Sequence, residues 1–212
     1  MIITKAKPEE VINEMIKPFP KLFVVGCGTC STKCTSGGKE QVKEMVDKLR
    51  DRAVGYQVVE EPCDKRLDRR DLKDYKEKID EADALLVMSC GIGVQAIGDI
   101  TKAIVLPASD TLFMGETERF GIFHNKCLAC GDCILDETGG VCPITRCAKG
   151  LLNGPCGGTV DGKCEVGEYT EDCAWTLIYN RLKEQDRMDL FTKFRPPRDF
   201  SKKTLMFSYK TR

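Results

Sequence analysis

The chain is expected to adopt an α/β fold, a flavodoxin-like doubly wound parallel sheet, followed by a small cysteine-rich, metal-stabilised domain and a C-terminal helix and tail. Three features point there. Short β-branched runs alternate with amphipathic helical patterns through the first half; the alternation stops near Leu112; and eight of the thirteen cysteines crowd into residues 127–173.

The N-terminal arm places Val11, Ile12, Met15 and Ile16 on one helical stripe. Residues 22–25, 56–59, 84–88 and 103–106 are apolar runs rich in β-branched side chains, as strands buried on both faces are. Between them, residues 39–50 put Val42, Met45, Val46 and Leu49 on one helical face, and residues 71–82 do the same with Leu72, Tyr75, Ile79 and Ala82. A shorter helical connection occupies residues 93–100. Crossovers of one hand then favour a parallel sheet with these four strands in the order 2-1-3-4, forming an α/β domain over residues 1–111.

From residue 112 to 173, Gly, Cys and Pro dominate, the composition of a loop-rich domain held by metal rather than by an apolar core. Residues 174–187 carry one amphipathic pattern, with Trp175, Ile178, Tyr179 and Leu182 on one face. Arg195, Pro196, Pro197 and Arg198 then break the chain, and a tail follows with Phe200, Leu205, Met206, Phe207 and Tyr209. Residues 174–212 hold ten basic and four acidic side chains, whereas 127–173 hold three basic and eight acidic, so helix and tail form a basic docking segment next to an acidic neighbour.

Overall charge is balanced, with 33 basic and 33 acidic residues, which argues against nucleic-acid binding through net charge. No apolar run approaches the roughly 18 residues of a membrane span, so no membrane insertion is expected. Residues 1–20 are interrupted by lysines and prolines instead of forming an apolar leader, which points to a cytoplasmic, reducing location. There, thirteen cysteines read as metal ligands, since thiols are kept reduced and an odd number leaves one unpaired.

Cys27, Cys63 and Cys90 follow the first, second and third strands at equivalent places. In the order 2-1-3 these strand ends are neighbours at the switch point, where ligands bind in open α/β sheets. Cys30 and Cys34 lie on the loop between the first strand and its helix, so five thiols are expected to converge, enough for one [4Fe–4S] cluster. Gly26, Gly28, Gly37, Gly38, Gly91 and Gly93 supply open backbone whose N–H groups suit an anionic cluster. A phosphate loop fits poorly, since the Gly26-Cys27-Gly28 segment lacks both the third glycine and the Lys-Ser/Thr ending. Buried small cysteines at Cys63 or Cys90, and a redox dithiol at Cys27 and Cys30, remain alternatives.

Cys127, Cys130 and Cys133 form a C-x2-C-x2-C clamp, with Cys142 ahead of Pro143 after eight intervening residues, akin to bacterial ferredoxin ligation with a lengthened final gap. Cys147, Cys156, Cys164 and Cys173 continue at wider intervals. Eight thiolates can complete two four-ligand sites, as one or two [4Fe–4S] clusters or with zinc in one of them, and spacing leaves the grouping open. His124, three residues before the clamp, is within ligating range in sequence, but a structural role is the ordinary one for a lone histidine.

The stretch from Cys142 to Gly158, reading CPITRCAKGLLNGPCGG, resembles the C-terminal domain associated with methylenetetrahydrofolate reductases. So do Gly162-Lys163-Cys164-Glu165-Val166, Cys173-Ala174-Trp175 and the segment Ile178 to Lys183. Together with VGCGTCSTKCTSGG and MSCGIGVQ, most of the chain is similar to the small iron–sulfur subunit of acetogen-type reductases. The resemblance implies a flavin-bearing, TIM-barrel reductase subunit as partner, a ferredoxin or other electron donor, and a role in one-carbon (folate, acetyl-CoA pathway) metabolism. It admits zinc as well as iron–sulfur in the cysteine-rich domain. The chain itself has no dinucleotide fingerprint, and no carboxylate pair or nucleophile motif stands out, so it is expected to be a non-catalytic subunit that relays electrons and docks. Two other readings stay open: a structural zinc scaffold of the same complex, and a reductive site in the α/β crevice acting on a small molecule or corrinoid.

Overall fold

The computed structural model describes residues 1–200; Leu205, Met206, Phe207 and Tyr209 lie outside the described residues. The chain divides into two compact units, residues 1–124 and 125–212.

The first unit opens with β1 (Ile2–Ala6) and α1 (Glu9–Ile16), then β2 (Leu22–Cys27), the one-turn α2 (Cys30–Lys33), α3 (Lys39–Leu49) and β3 (Ala53–Val59). It continues through α4 (Lys65–Leu72), α5 (Lys76–Glu81), β4 (Ala84–Met88), α6 (Gly91–Thr101) and β5 (Val105–Pro107). β6 (Ser109–Arg119) and β7 (Ile122–Cys127) complete the strands. β3, β2, β4 and β5 form a four-stranded sheet in that order, and all its pairs are parallel. This is the order expected from the alternating runs.

Strand alternation sends side chains to two cores. Leu22, Val24, Leu86 and Met88 pack with Ile12, Ile16, Val42 and Leu49 of α1 and α3. Phe23, Val25, Leu85 and Val87 pack with Leu72, Ile79, Val94 and Ile97 of α4, α5 and α6. Every residue of β2 and β4 is therefore buried, which is why both read as continuous apolar runs.

Three features depart from the sequence expectation. The single helix expected over 71–82 is two: α4 starts earlier because the Asp64 carboxylate caps it by accepting from the Arg66 N–H at 2.9 Å, and a 3-10 turn at residues 73–75 separates it from α5. Residues 112–127, expected to be loop-rich, are strand instead. A second, three-stranded sheet runs β1-β6-β7, with β1 antiparallel to β6 and a bulge between Ile3 and Thr4. Gly121, at φ +81°, supplies the left-handed residue between β6 and β7. Buried hydroxyls fix β1 and β6 to the segment after β2: Thr4 Oγ1 lies 2.7 Å from Ser36 Oγ and 3.3 Å from Ser31 Oγ, and Ser109 Oγ donates to the Ser36 carbonyl.

The second unit has little regular structure: α7 (Pro143–Arg146), α8 (Ala174–Glu184) and α9 (Asp189–Thr192). Trp175, Ile178 and Leu182 of α8 form a small core with Cys173, flanked by Val141, Leu151 and Phe191. The Trp175 indole N–H donates to the Leu151 carbonyl at 3.0 Å. Tyr179, expected on the same face, is 40% exposed and meets Phe191 edge-on. Among the described residues no helix is long and apolar enough to cross a membrane.

Candidate metal centres

In the first unit Cys27 ends β2, and its N–H donates to the Gly37 carbonyl at 2.8 Å. That bond folds the loop carrying Cys30 and Cys34 back over the strand end. Gly37 is required there, because a Cβ would overlap the Met88 carbonyl of β4. Cys90 is buried at the N-cap of α6, and Cys63 is exposed on the loop after β3. The Cys63 thiol is held above the ordinary thiol range, first by desolvation and then by the charges of Cys90, Glu61 and Cys27. Charge interactions thus link Cys63 to Cys90 and to Cys27.

The expected convergence of all five thiols is not complete. Cys30 is the first residue of α2, and the Cys34 thiol turns to the Ile2 carbonyl of β1 at 3.9 Å. Nothing in the sequence pattern flagged β1, so its claim on Cys34 was not visible.

In the second unit the eight cysteines separate into two quartets of consecutive cysteines. Cys127, Cys130, Cys133 and Cys142 line one cavity of about 240 Å³ together with Leu128, Ile134, Leu135, Ile144 and Arg198. Cys147, Cys156, Cys164 and Cys173 line another of about 20 Å³, walled by Trp175 and Pro155. The sequence left this grouping open. Ala129 at φ 47° and Gly131 at φ 79° curl the first clamp into a tight loop, and the Ala129 N–H donates to Cys127 Sγ at 3.3 Å. In the second quartet the Gly158 N–H donates to Cys156 Sγ at 3.4 Å. N–H donors of this kind stabilise sulfur in its anionic, metal-binding form.

Two thiols are made more acidic than usual by their surroundings. Burial pushes the Cys130 thiol up, but a backbone bond at Asp132 and the Arg198 guanidinium outweigh it and hold the thiol below its usual range. Cys173 behaves likewise: burial is outweighed by hydrogen bonds from Thr159, Trp175 and Thr176. His124 is paired with Glu118, Nε2 to Oε2 at 2.6 Å.

The residues present fit an anionic metal centre in the larger cavity on two grounds. The donor set is four cysteines, and Arg198 Nη1 is buried with no hydrogen-bond partner among the described residues. A buried guanidinium N–H without an acceptor is costly, and an anion at the cavity would satisfy it. The same group was missed at the sequence level because the Arg195-to-Arg198 segment read only as a chain breaker. For a single ion the thiols are not gathered: among the described residues no group of three or more His, Cys, Asp or Glu is placed to hold one.

No curated protein and no solved structure matches the chain. Residues 106–201, just under half of the chain and including all of the described second unit, are similar to the family described as methylene-tetrahydrofolate reductase C terminal.

Proposed function

We propose that the chain is the iron–sulfur electron-transfer and docking subunit of a flavin-dependent methylenetetrahydrofolate reductase complex, with the folate chemistry carried out by a flavin-bearing partner. The observation that carries this is the quartet Cys127, Cys130, Cys133 and Cys142 around a cavity of about 240 Å³ with an orphaned Arg198 donor, inside the segment similar to the reductase C-terminal family.

These four cysteines would hold one [4Fe–4S] cluster, each taking a different iron corner, so their sulfurs need not meet at a point. Cys27, Cys63 and Cys90 would hold a second at the strand ends, with Cys30 or Cys34 as fourth ligand. When bound, such clusters accept and donate single electrons. The protein's part is to line the cavity with the apolar side chains of Leu128, Ile134, Leu135 and Ile144, to direct N–H groups at sulfur, and to present the sites to a partner. The exposed Phe194 and the basic C-terminal segment support docking.

A single zinc held by Cys147, Cys156, Cys164 and Cys173, which line a cavity of about 20 Å³, would fasten the Trp175 core; the four thiols would have to close on it, since among the described residues they are not gathered for one ion.

The test is reconstitution. Anaerobically purified chain is added to the flavin-bearing reductase subunit with a reduced ferredoxin as donor, and folate reduction is followed with and without it. Dependence of the rate on the chain supports the proposal; reduction of the folate by the isolated chain without flavoprotein contradicts it.

A further inference from the structure

Arg198 reaches the cysteine cavity because the chain ahead of it is fixed. The Arg195 guanidinium donates from Nε to Glu137 Oε2 and from Nη2 to the Glu137 carbonyl, both at 2.9 Å, and it also reaches the carbonyls of Leu152 and Leu190. Its backbone is clipped on both sides by Asn153, whose Oδ1 accepts from the Arg195 N–H at 2.7 Å and whose Nδ2 donates to the Arg195 carbonyl at 2.8 Å. Pro196 and Pro197 follow, and their rings restrict φ, so little backbone freedom separates the anchored Arg195 from Arg198. At the end of this strap Arg198 Nη2 donates to the Asp132 carbonyl at 3.2 Å and approaches the Cys130 carbonyl at 3.5 Å, while Nη1 is buried with no hydrogen-bond partner among the described residues. The two carbonyls position the guanidinium within the cysteine clamp, and neither neutralises its charge.

We infer that Arg198 is a positioning residue that sets the reduction potential of the centre held by Cys127, Cys130, Cys133 and Cys142, holding it higher than the thiolates alone would. The inference rests on the proposed cluster at that quartet. Uptake of one electron there adds one negative charge, with no bond made or broken and no proton required. A fixed cation at the cavity wall, with one guanidinium nitrogen shielded from solvent, favours the more negative state. Since that cation is carried on the strap that leads into the basic C-terminal tail, the potential depends on the strap remaining fastened.

The experiment is an EPR-monitored dithionite titration of the full, anaerobically purified chain, comparing wild type, Arg198→Gln and Arg198→Lys. The signal of this quartet is identified as the one that Cys130→Ala removes. Arg198→Gln should lower the potential, changing the reduced-to-oxidised ratio at fixed poise by at least about tenfold, or about 59 mV for one electron. Arg198→Lys, which keeps the charge, should stay closer to wild type. Equal potentials in wild type and Arg198→Gln overturn the inference while leaving the cluster in place; a wild-type chain with no signal sensitive to Cys130→Ala overturns the underlying proposal instead. If Arg198→Gln does not load iron, the wild type decides. With arginine labelled by 15N, the reduced centre should show a nitrogen hyperfine coupling that Arg198→Lys loses, and its absence from the wild type overturns the inference.

Discussion

Arg195 and Glu137 are joined twice, by Nε to Oε2 and by Nη2 to the backbone carbonyl, so one guanidinium ties the segment after α9 to the loop that follows the first cysteine clamp. Arg195 is only 5% exposed and its charge also lies over the Trp175 ring, 5.9 Å from the centroid.

Arg195→Met should therefore loosen the second unit alone. Losing a buried charge partner and several carbonyl bonds costs on the order of 3 kcal/mol. Limited proteolysis is expected to cut residues 188–200 faster while the first unit resists. Equal protection of both segments would show that the latch contributes little.

Gly37→Ala acts on the other unit. The new methyl meets the Met88 backbone, which cannot swing aside as a side chain can, so the loop carrying Cys30 and Cys34 must move. A loss of about 1–3 kcal/mol is expected, with lower iron occupancy at the strand-end cysteines and no change in the Cys127–Cys142 centre. A variant with wild-type stability and iron content would count against the close approach.

Cys90→Ala separates ligation from folding. The sheet has two apolar cores of its own, so the variant should lose iron from the first unit yet keep a wild-type far-UV circular dichroism spectrum. Global unfolding would show that the metal, not the apolar contacts, holds the α/β unit.

Asp68 is fully buried on α4, and neither carboxylate oxygen has a hydrogen-bond partner among the described residues. Burial, and then the charges of Asp64 and Asp71, push its pKa up to about 6. A folded-state pKa above the unfolded one means that the native state binds the extra proton between about pH 4 and 6. Stability should accordingly fall as pH rises through that window, and Asp68 should weaken the fold at pH 7 by on the order of 2–3 kcal/mol. Asp68→Asn is expected to raise the melting temperature at pH 7, to change it little at pH 4, and to flatten the slope between them. A parallel pH profile for the variant would refute this.

The four-stranded sheet was legible because burial on both faces turns parallel strands such as 84–88 into uninterrupted apolar runs. β1, β6 and β7 were not, since most of β6 and β7 is solvent-facing or half-buried and their side chains mix polar with apolar along the strand. The helix pattern through Leu72, Tyr75 and Ile79 was real in its spacing, yet periodicity carries no mark of the 3-10 turn at residues 73–75. At the site, cysteine identity and the strand-end registration of Cys27, Cys63 and Cys90 were readable. The grouping of the other eight was not, because Cys142 and Cys147 are close in sequence but face different cavities. The placement of Arg198 depends on a latch between residues 58 positions apart, Glu137 and Arg195, which no local pattern encodes.

The two cysteine quartets of the second unit are proposed to hold different metals, an iron–sulfur cluster at Cys127, Cys130, Cys133 and Cys142 and zinc at Cys147, Cys156, Cys164 and Cys173. Iron, acid-labile sulfide and zinc, measured per chain in the anaerobically purified protein and in Cys130→Ala and Cys164→Ala, test it most directly. Cys130→Ala should lose about four irons and four sulfides while keeping zinc, and Cys164→Ala should lose zinc while keeping the iron. A colourless, iron-poor wild type, or loss of the same metal from both variants, would contradict it.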